Sequence, residues 1–339
     1  MNSAEPFDWK ARRVLVTGAD GFVGGWLVKA LVARGAAVCG LTGPKSPVAA
    51  RPSRRHQMPV PAQVKFVRGS IVSIREMSRL VADLCIDTVF HLAATNINTG
   101  AGISPYRVFE TNIRGAYTVL EACRLAPQPV RAVLASSKEV EACFLPAAER
   151  AYHPYMVSKA AAELAARGYR DTFRVPVAVA RSDNIYGGGD FNWSRLIPGV
   201  IRAIARGERP VIRSDGSFAR DYVYIDDAVA AYLAIGGRLH GPPSNTRLFR
   251  IATGRQTSVL DVVGKLLRAA GRPDLTPRVL NQATEERTDG PYRPDMERKE
   301  LGWKSRVGVE EGLSQTWQWY RGFFERDAAS AKRRTRRGS

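Results

Sequence analysis

Residues 14–27 read VLVTGADGFVGGWL and join a short apolar run to a longer helix-like apolar stretch. Three glycines, Gly18, Gly21 and Gly24, follow one another in it as G-x-x-G-x-x-G. Glycine at such places permits a tight turn, lets a pyrophosphate approach the backbone and allows a helix to pack closely on a strand. The N-terminus of the helix then faces the anion. The stretch therefore predicts a dinucleotide-binding turn between a first strand and a first helix.

Strand and helix patterns alternate through the first half of the chain. Uninterrupted apolar runs such as DTVFHLAA and VRAVLASS are separated by helical patterns such as IREMSRLVADLC. Strands that are apolar throughout are typical of a parallel sheet covered on both faces. Right-handed crossovers make such a sheet doubly wound. We therefore predict an α/β fold with a doubly wound parallel sheet of the Rossmann type.

After about residue 184 the sequence changes to glycine-rich loops, shorter elements and more proline and arginine. We predict a dinucleotide-binding domain over residues 10–184, to which the chain returns at about 219–255. A smaller C-terminal substrate-binding lobe is predicted from residues 185–218 and 256–325. Residues 326–339 are rich in arginine and lysine and are predicted to form a basic, disordered tail.

The formal net charge of the 339 residues is +19, and part of it lies in RPSRRHQ at 51–57 and AKRRTRR at 331–337. Such a charge can attract nucleic acid or an anionic small substrate. It can also reflect an arginine-rich genome. The sequence has no basic motif interleaved with aromatic residues and no helix-turn-helix pattern, so we expect no nucleic-acid partner.

No stretch of the sequence reaches the roughly 18–20 apolar residues of a membrane span. The opening MNSAEPFDWKARR has no apolar run ahead of a cleavage site. We therefore expect a cytoplasmic protein without a membrane partner. The four cysteines are scattered without C-x-x-C spacing, and the four histidines show no metal-ligand spacing with them. We expect no metal site.

The segment PYMVSK places Tyr155 and Lys159 four residues apart at the start of a predicted helix. That spacing puts both side chains on one face. An ammonium near a phenol favours the phenolate and lowers the pKa of the tyrosine, which can then take a proton from a substrate hydroxyl. Ser137 ends the preceding predicted strand, VRAVLASS, and so joins the same candidate site.

Several segments together resemble the extended short-chain dehydrogenases/reductases, and among them the NAD-dependent nucleotide-sugar epimerases and dehydratases. These segments are VLVTGADGFVG, DTVFHLAA, ETNIRGAYTVLEAC, ASSKEV, PYMVSKAAAE, NIYGGGD and RDYVYIDDAVAAYL. NIYGGGDFNWSRLIPGVIRAI is similar to a segment of the CDP-glucose 4,6-dehydratase branch. The resemblance implies Tyr155 as general base, Lys159 on the nicotinamide ribose and Ser137 on the sugar 4-hydroxyl.

The resemblance also implies NAD as the cofactor. The residues implied to bind it are Gly18, Gly21, Phe22, Val23, Gly24, Ser70, Ile71, Leu92, Ala93, Ala94, Asn112, Tyr155 and Lys159. An acid at the end of the second strand would bind the adenosine ribose, but AVCGLTGPK contains none. NADP stays open because the cations that follow could meet a 2′-phosphate; they are Lys45, Arg51, Arg54 and Arg55. Ser70 stands where many relatives have an aspartate that meets the adenine.

A nucleoside diphosphate sugar needs cations on its pyrophosphate. The resemblance implies that Arg220 and Asn184 contact the substrate phosphates. Arg195, Arg213 and Arg293 are further candidates for substrate binding. A homodimer formed through a helix bundle would suit the family, and the predicted helices at 107–126 and 155–173 have the length for it.

Lys138 and Glu139 follow the catalytic serine and decide which reaction the resemblance implies. Epimerases usually carry small residues in both places, whereas dehydratases carry an acid and then a base. Glu139 stands where a dehydratase places the base for C5, and Lys138 stands where the acid is expected. A lysine acts as an acid only if its pKa is lowered from about 10.4. Lys138 could instead pair with Glu139 or anchor a uronate carboxylate.

We therefore expect an NAD(P)-dependent nucleotide-sugar 4,6-dehydratase that acts through a 4-keto intermediate. A nucleotide-sugar epimerase, uronate epimerases included, is the alternative. A non-catalytic dinucleotide-binding protein is a third possibility, against which Ser137, Tyr155 and Lys159 argue.

Overall fold

The computed structural model describes residues 7–44, 61, 63–95, 104–144, 152–242, 247–283 and 292–335. Contacts divide them into two compact units. The first comprises the described residues up to Asp183 together with Asp226–Ile251 and Pro294–Lys304. The second comprises Asn184–Ile225, Ala252–Arg293 and the described residues from Ser305.

The strands in the described residues are β1 (Arg13–Thr17), β2 (Ala37–Thr42), β3 (Lys65–Arg68), β4 (Thr88–His91), β5 (Arg131–Ser137), β6 (Val177–Ser182), β7 (Asn184–Tyr186), β8 (Val211–Ser214), β9 (Ala219–Tyr224), β10 (Leu248–Ile251), β11 (Gln256–Ser258) and β12 (Arg278–Ala283). The α-helices are α1 (Phe22–Ala33), α2 (Ile74–Asp83), α3 (Pro105–Phe109), α4 (Gly115–Leu125), α5 (Glu141–Phe144), α6 (Pro154–Phe173), α7 (Leu196–Ala205), α8 (Ile225–Arg238), α9 (Val259–Ala269), α10 (Asp295–Leu301) and α11 (Val309–Thr335).

Within the described residues, the first unit contains a seven-stranded sheet in the order β10-β6-β5-β4-β1-β2-β3. All of its neighbouring strands pair in parallel. Strand residues such as Leu15, Val89 and Val133 are completely buried, as expected for strands covered on both faces. The order reverses at β1 and β4, so the predicted doubly wound Rossmann-type sheet is confirmed.

The predicted helix over 107–126 contains a change of helix type. Residues Glu110–Arg114 form a π-helical turn between α3 and α4. Such turns widen an α-helix locally and are frequent at functional sites. Here the turn carries Asn112, whose side chain is buried.

The second unit contains two small sheets, with strand orders β11-β9-β7 and β12-β8 in the described residues. β9 pairs in parallel with β7 from Asn184↔Tyr222 to Tyr186↔Tyr224. Residues 219–224 therefore belong to the second unit, and the return to the first unit begins at Asp226, later than the predicted 219. Residues 294–304, which were predicted for the lobe, belong to the first unit.

The last helix, α11, runs to Thr335. The prediction of a disordered tail from residue 326 is therefore wrong as far as residue 335, and residues 336–339 lie outside the described residues. In the described part of the chain, no helix is both long and apolar enough to span a membrane. The same part contains no cluster of His, Cys, Asp or Glu suited to a metal ion.

Candidate active site

The glycine turn after β1 leaves no room for side chains. Gly18 has φ of +69°, a region that favours glycine, and a Cβ there would lie 2.9 Å from Cα of Ala93. A Cβ on Gly24 would lie 2.1 Å from the carbonyl oxygen of Gly18. The N–H of Gly21 donates to that same oxygen at 2.9 Å. This is the close backbone cradle that a dinucleotide pyrophosphate requires, so the residues present fit the cofactor.

The loop after β4 is held against this cradle. The N–H of Leu92 donates to the Thr17 carbonyl at 3.3 Å, and the N–H of Ala93 donates to Thr17 Oγ1 at 3.2 Å. His91 Nδ1 lies 2.8 Å from the same hydroxyl. Burial, and secondarily the cation of Lys159, lowers the pKa of His91 to about 3. The neutral ring therefore helps to fix the loop that carries Leu92, Ala93 and Ala94.

Four further residues predicted for the cofactor lie in α1 and after β3. Phe22 and Val23 form the first turn of α1 and are half-buried. Ser70 and Ile71 follow β3 and are also half-buried, and the N–H of Ser70 donates to Glu76 Oε2 at 2.8 Å. Lys45, Arg51, Arg54 and Arg55, the cations considered for a 2′-phosphate, lie outside the described residues.

Asn112 links the loop after β4 to helix α6. Its Oδ1 accepts the N–H of Thr95 at 2.8 Å, and its Nδ2 donates to the Thr95 carbonyl at 3.0 Å. The same Nδ2 donates to Ser158 Oγ at 2.9 Å. The π-helical turn thus directs one buried amide at both the loop beside the cradle and the helix of Tyr155.

Tyr155 and Lys159 lie in the first turns of α6, as predicted. His153 caps this helix, because its Nδ1 accepts the N–H of Tyr155 at 3.3 Å. Lys159 is buried, and its Nζ donates to the carbonyl of Ala135 in β5 at 2.9 Å. Burial lowers the pKa of Lys159 to about 8, an effect that the carboxylate of Glu163 opposes. Lys159 is therefore tied to the strand that ends at Ser137.

The residues after β5 point in different directions. Ser137 is half-buried, and its Oγ accepts the N–H of Glu139 at 3.4 Å. Glu139 is exposed. Lys138 is buried, and its Nζ lies 3.7 Å from Oδ1 of Asp183. The sequence left Glu139 or a uronate as partners for Lys138, and the structure pairs it with Asp183.

Asp183 belongs to a group of buried ions that sequence reasoning missed. Arg250 of β10 donates to both of its carboxylate oxygens, Nε at 2.7 Å and Nη2 at 3.1 Å. Arg250 Nη1 also lies 3.3 Å from Glu141 Oε2. Arg181 of β6 forms a two-fold hydrogen bond with Glu163 at 2.9 and 2.7 Å. The signal in the sequence was a charge inside each of two apolar strand runs, since a buried charge needs a partner.

The second unit has a cavity of about 670 Å³. It brings together four of the five residues predicted to bind substrate, Asn184, Arg195, Arg213 and Arg220. Arg293, the fifth, is exposed and is not part of the cavity lining. Three further arginines line the cavity and were missed by sequence reasoning: Arg202, Arg206 and Arg209. The signal in the sequence that could have indicated them was the regular spacing of these arginines over helix α7 and the turn that follows it.

Two of the predicted residues in this cavity are held by the chain itself. Arg195 Nη1 donates to Asp190 Oδ2 at 2.7 Å, and its Nη2 donates to the Ile185 carbonyl at 3.0 Å. Asn184 Nδ2 donates to the Asp221 carbonyl at 3.4 Å. Arg213 is exposed at its place on β8. The cavity therefore has fixed and exposed cations together, which suits an anionic group.

Comparison with known proteins extends this picture. Residues 14–246 match the model of the NAD dependent epimerase/dehydratase family. The chain belongs to this family. NAD is accordingly its cofactor, and the glycine cradle after β1 is the part of the described chain that fits it.

Curated relatives include both dehydratases and epimerases. The chain is 30% identical over 325 residues to a trifunctional UDP-glucose 4,6-dehydratase/UDP-4-keto-6-deoxy-D-glucose 3,5-epimerase/UDP-4-keto-L-rhamnose-reductase of Arabidopsis thaliana, covering 92% of this chain and 48% of that protein. It therefore spans about half the length of that relative. It is 29% identical to the UDP-glucose 4-epimerase of Mycolicibacterium smegmatis, covering 91% of this chain and 98% of that protein.

Solved structures agree with the fold. An epimerase of Methanothermobacter thermautotrophicus superposes with a TM-score of 0.80 at 25% identity, covering 94% of each chain. The curated relatives named above include both a UDP-glucose 4,6-dehydratase and a UDP-glucose 4-epimerase.

Proposed function

We propose that this protein is an NAD-dependent nucleotide-sugar 4,6-dehydratase that acts on a nucleoside diphosphate hexose through a 4-keto intermediate. The observation that carries the proposal is the end of β5. There the buried Lys159 is hydrogen-bonded to the strand that presents Ser137, and the strand is followed by the exposed carboxylate of Glu139. Helix α6, which carries Tyr155 as the base for a hydroxyl, is thus tied through Lys159 to the strand that is followed by Glu139, the base for a C–H bond.

The glycine cradle would hold the cofactor pyrophosphate, with the loop at Leu92–Ala94 and the first turn of α1 beside it. NAD⁺, when bound, supplies the hydride acceptor for oxidation at C4 of the sugar. The contribution of the chain is to hold a dinucleotide against the backbone and to place α6 next to it. Asn112 supports this arrangement through its bonds to Thr95 and Ser158.

For the oxidation, Tyr155 takes the proton of the 4-hydroxyl, and Ser137 accepts or donates a hydrogen bond at the same oxygen. Lys159 acts beside Tyr155 as the cation that favours the phenolate. Because burial lowers the pKa of Lys159 to about 8, its charge responds to pH near the working range. The half-buried position of Tyr155 allows a substrate to approach it.

For the elimination, the ketone at C4 acidifies the C–H bond at C5. Glu139 takes that proton, and the C6 hydroxyl departs as water with a proton from the resulting carboxylic acid. The hydride removed from C4 would then return to C6 and a proton from solvent to C5, so that the net change is the loss of one water. Arg220, Arg213 and Asn184 line the second-unit cavity and are our candidates for binding the substrate diphosphate.

A nucleotide-sugar epimerase is the second candidate, and one observation favours it. Lys138 occupies the place where a dehydratase carries its acid, and it is paired with Asp183. Its ammonium is therefore engaged in an ion pair. Where no separate acid assists departure of the hydroxyl, inversion and renewed reduction of the 4-keto sugar compete with dehydration.

A panel of CDP-, GDP-, UDP- and dTDP-hexoses, analysed by mass spectrometry, tests the choice. A dehydratase yields a product lighter by one water, with deuterium from D₂O at C5. An epimerase yields a product of unchanged mass with inverted stereochemistry, which would refute the 4,6-dehydratase. If no sugar in the panel changes in mass or in stereochemistry, the enzyme proposal itself fails.

The variant Glu139→Gln sharpens this test. It keeps the size of the side chain but removes the base, so C5 deuteration should fall by roughly 10²–10⁴-fold while oxidation at C4 continues. Accumulation of reduced nicotinamide with an unreleased 4-keto sugar is the expected signature. Unimpaired dehydration by Glu139→Gln would contradict the role given to Glu139.

We further propose that the protein forms a homodimer through α4 and α6. Large apolar side chains on these helices are exposed: Tyr117, Leu125, Leu164 and Phe173. A second copy of the chain would cover them. Light scattering after size exclusion should give twice the mass of the chain, and Leu164→Glu should give a monomer. A monomeric unmodified protein would refute the dimer.

A further inference from the structure

Glu139 lies between two anchored residues. Lys138, on its N-terminal side, is bound to Asp183, with Nζ 3.7 Å from Oδ1. Glu141, two positions after Glu139, is bound to Arg250 at 3.3 Å and lies 3.8 Å from Arg181 Nη1. The exposed carboxylate is therefore carried by a short turn whose two ends are held by ions on the sheet.

Asp183 is the centre of these contacts. Its side chain is 0% exposed, so its charge is stable only with close partners. The guanidinium of Arg250 donates two hydrogen bonds, one to each carboxylate oxygen of Asp183, which is an arrangement that arginine favours. Asp183 is thus an ionised group already compensated by Arg250, and it can also hold the ammonium of Lys138.

The register of the sheet places Asp183 beside Lys138, where the turn that carries Glu139 begins. Ser137↔Ser182 is the last pair between β5 and β6, so Lys138 and Asp183 are the next residues of both strands. The N–H of Asp183 donates to the Ile251 carbonyl of β10 at 3.0 Å. The carboxyl ends of β5, β6 and β10 are therefore joined by ions and hydrogen bonds at the level of Ser137.

Charge and position together limit what Lys138 can do. Its ammonium is buried and lies 3.7 Å from a carboxylate oxygen of Asp183. The side chain is also directed at the end of β6, whereas its neighbour Glu139 is exposed. These features are those of an anchor.

We propose that Asp183, assisted by Arg250, is a positioning residue that holds Lys138 and Glu141 and thereby fixes Glu139 for proton transfer at C5. Lys138 is the anchor of this turn and not the acid of the reaction. The role of Glu139 rests on the proposed function. The anchoring of residues 138–144 by Asp183 does not.

Substitutions of Lys138 separate an anchor from an acid. Lys138→Arg keeps a cation that can bind Asp183 but cannot release a proton, so C5 deuteration should stay within about threefold of the unchanged protein. Lys138→Met removes the anchor, and displacement of Glu139 should lower C5 deuteration by about 10²-fold. If Lys138→Arg loses as much as Lys138→Met while both still oxidise C4, Lys138 is the acid and the proposal is wrong.

Backbone hydrogen exchange tests the anchoring without any substrate. In Asp183→Asn the amides of residues 138–144 should exchange at least about tenfold faster than in the unchanged protein. The matched control is Asp171→Asn, because Asp171 is bound by Arg170 at 2.6 Å but its side chain is 63% exposed. The control should leave exchange at 138–144 unaltered.

Arg250→Lys and Lys138→Met provide the same measurement if Asp183→Asn does not fold. Faster exchange confined to residues 138–144 in these variants supports the proposal. Unaltered exchange there in every folded variant overturns it. If the nucleotide-hexose panel gives no product while exchange at 138–144 rises as expected, the proposed function fails and the anchoring stands.

Discussion

Two lysines of the first unit are buried to almost the same extent and have opposite surroundings. Lys159 is 7% exposed and donates to an uncharged carbonyl, that of Ala135. Lys138 is 9% exposed and faces the carboxylate of Asp183. Lys138 directly follows β5, and Nζ of Lys159 in α6 reaches Ala135 of the same strand. The role of a buried lysine therefore cannot be inferred from its burial alone, and the partner of its ammonium must be considered as well.

The contrast separates two tasks. A lysine whose partner is neutral gives up its proton more easily, and burial lowers the pKa of Lys159 to about 8. Such a cation can assist an acid–base reaction beside Tyr155. A lysine whose partner is a buried carboxylate is part of the scaffold. We thus assign oxidation at C4 to the region of Lys159 and placement of Glu139 to the region of Lys138.

The largest expected effect is that of Tyr155→Phe on oxidation at C4, and its absence would contradict this assignment. Tyr155→Phe should lower the rate of C4 oxidation by about 10²–10⁴-fold, because it removes the proton acceptor and little volume. Reduction of bound nicotinamide in a single turnover measures this step alone. Glu139→Gln is the paired variant and should leave the step intact. Equal losses of C4 oxidation in both variants would mean that the two regions do not have separate tasks.

Stability as a function of pH tests the environment of Lys159. Its pKa is lowered from 10.5 to about 8, so between these values the unfolded chain binds more protons than the folded one and stability rises with pH. Below pH 8 the cost of burying the ammonium is present in full. Relative to Lys159→Met, the protein without cofactor should gain about 3 kcal/mol in free energy of unfolding from pH 8 to 10.5. If the difference in free energy of unfolding between the two proteins, measured with urea, does not change with pH, the ammonium of Lys159 is not buried against a neutral carbonyl.

NAD binding should depend on the glycine cradle and should not depend on Lys138. Gly24→Ala places a Cβ 2.1 Å from the Gly18 carbonyl oxygen and should cost about 1–3 kcal/mol in stability and in NAD binding. Gly168→Ala in α6 is the matched control, because a Cβ there meets nothing within 4 Å. Calorimetric titration with NAD measures the difference. Lys138→Met should bind NAD as the unchanged protein does, and a shared loss would remove the distinction.

The smallest effect concerns ion pairs at the surface. Arg170 and Asp171 are bound at 2.6 Å, a shorter distance than that of Lys138 and Asp183. Exposed pairs contribute little because water screens them. Asp171→Asn should therefore leave the midpoint of thermal unfolding unchanged, whereas Asp183→Asn should lower it. A loss of equal size in both would mean that burial does not distinguish the two pairs.

Much of the fold follows from local sequence patterns. Apolar strands and the G-x-x-G-x-x-G turn predict the parallel sheet, because each is a property of a few adjacent residues. The boundary at residue 219 is wrong for the converse reason. RDYVYI has the pattern of a core strand, but the choice of sheet depends on its pairing with Asn184–Tyr186, 38 residues earlier.

The end of the chain shows a related limit. Charge predicts disorder from residue 326, yet α11 continues to Thr335. Trp319, Tyr320 and Phe323 hold its middle against Phe191, with ring centroids 5.1–5.9 Å apart. A helix anchored in this way can extend into a segment of high helix propensity.

The candidate site divides along the same line. Tyr155 and Lys159 are predictable because one helix carries both, and the glycines because one turn does. The pairing of Lys138 with Asp183 is not, because it requires the register of β5 on β6. Arg293 is exposed outside the cavity for which it was predicted, since a cation in a loop carries no periodic pattern.

The position of Arg250 in the chain has a consequence for folding. Arg250 follows Glu141 by 109 residues, and Glu297, which accepts its backbone N–H, lies 47 residues further on. A ribosome that has released only the first 184 residues has delivered Lys138 and Asp183 without Arg250, which binds Asp183 in the complete chain. We therefore expect the turn that carries Glu139 to form late, because its closure is long-range and entropically costly. Chains stalled before β10 are expected to form the glycine cradle before this turn.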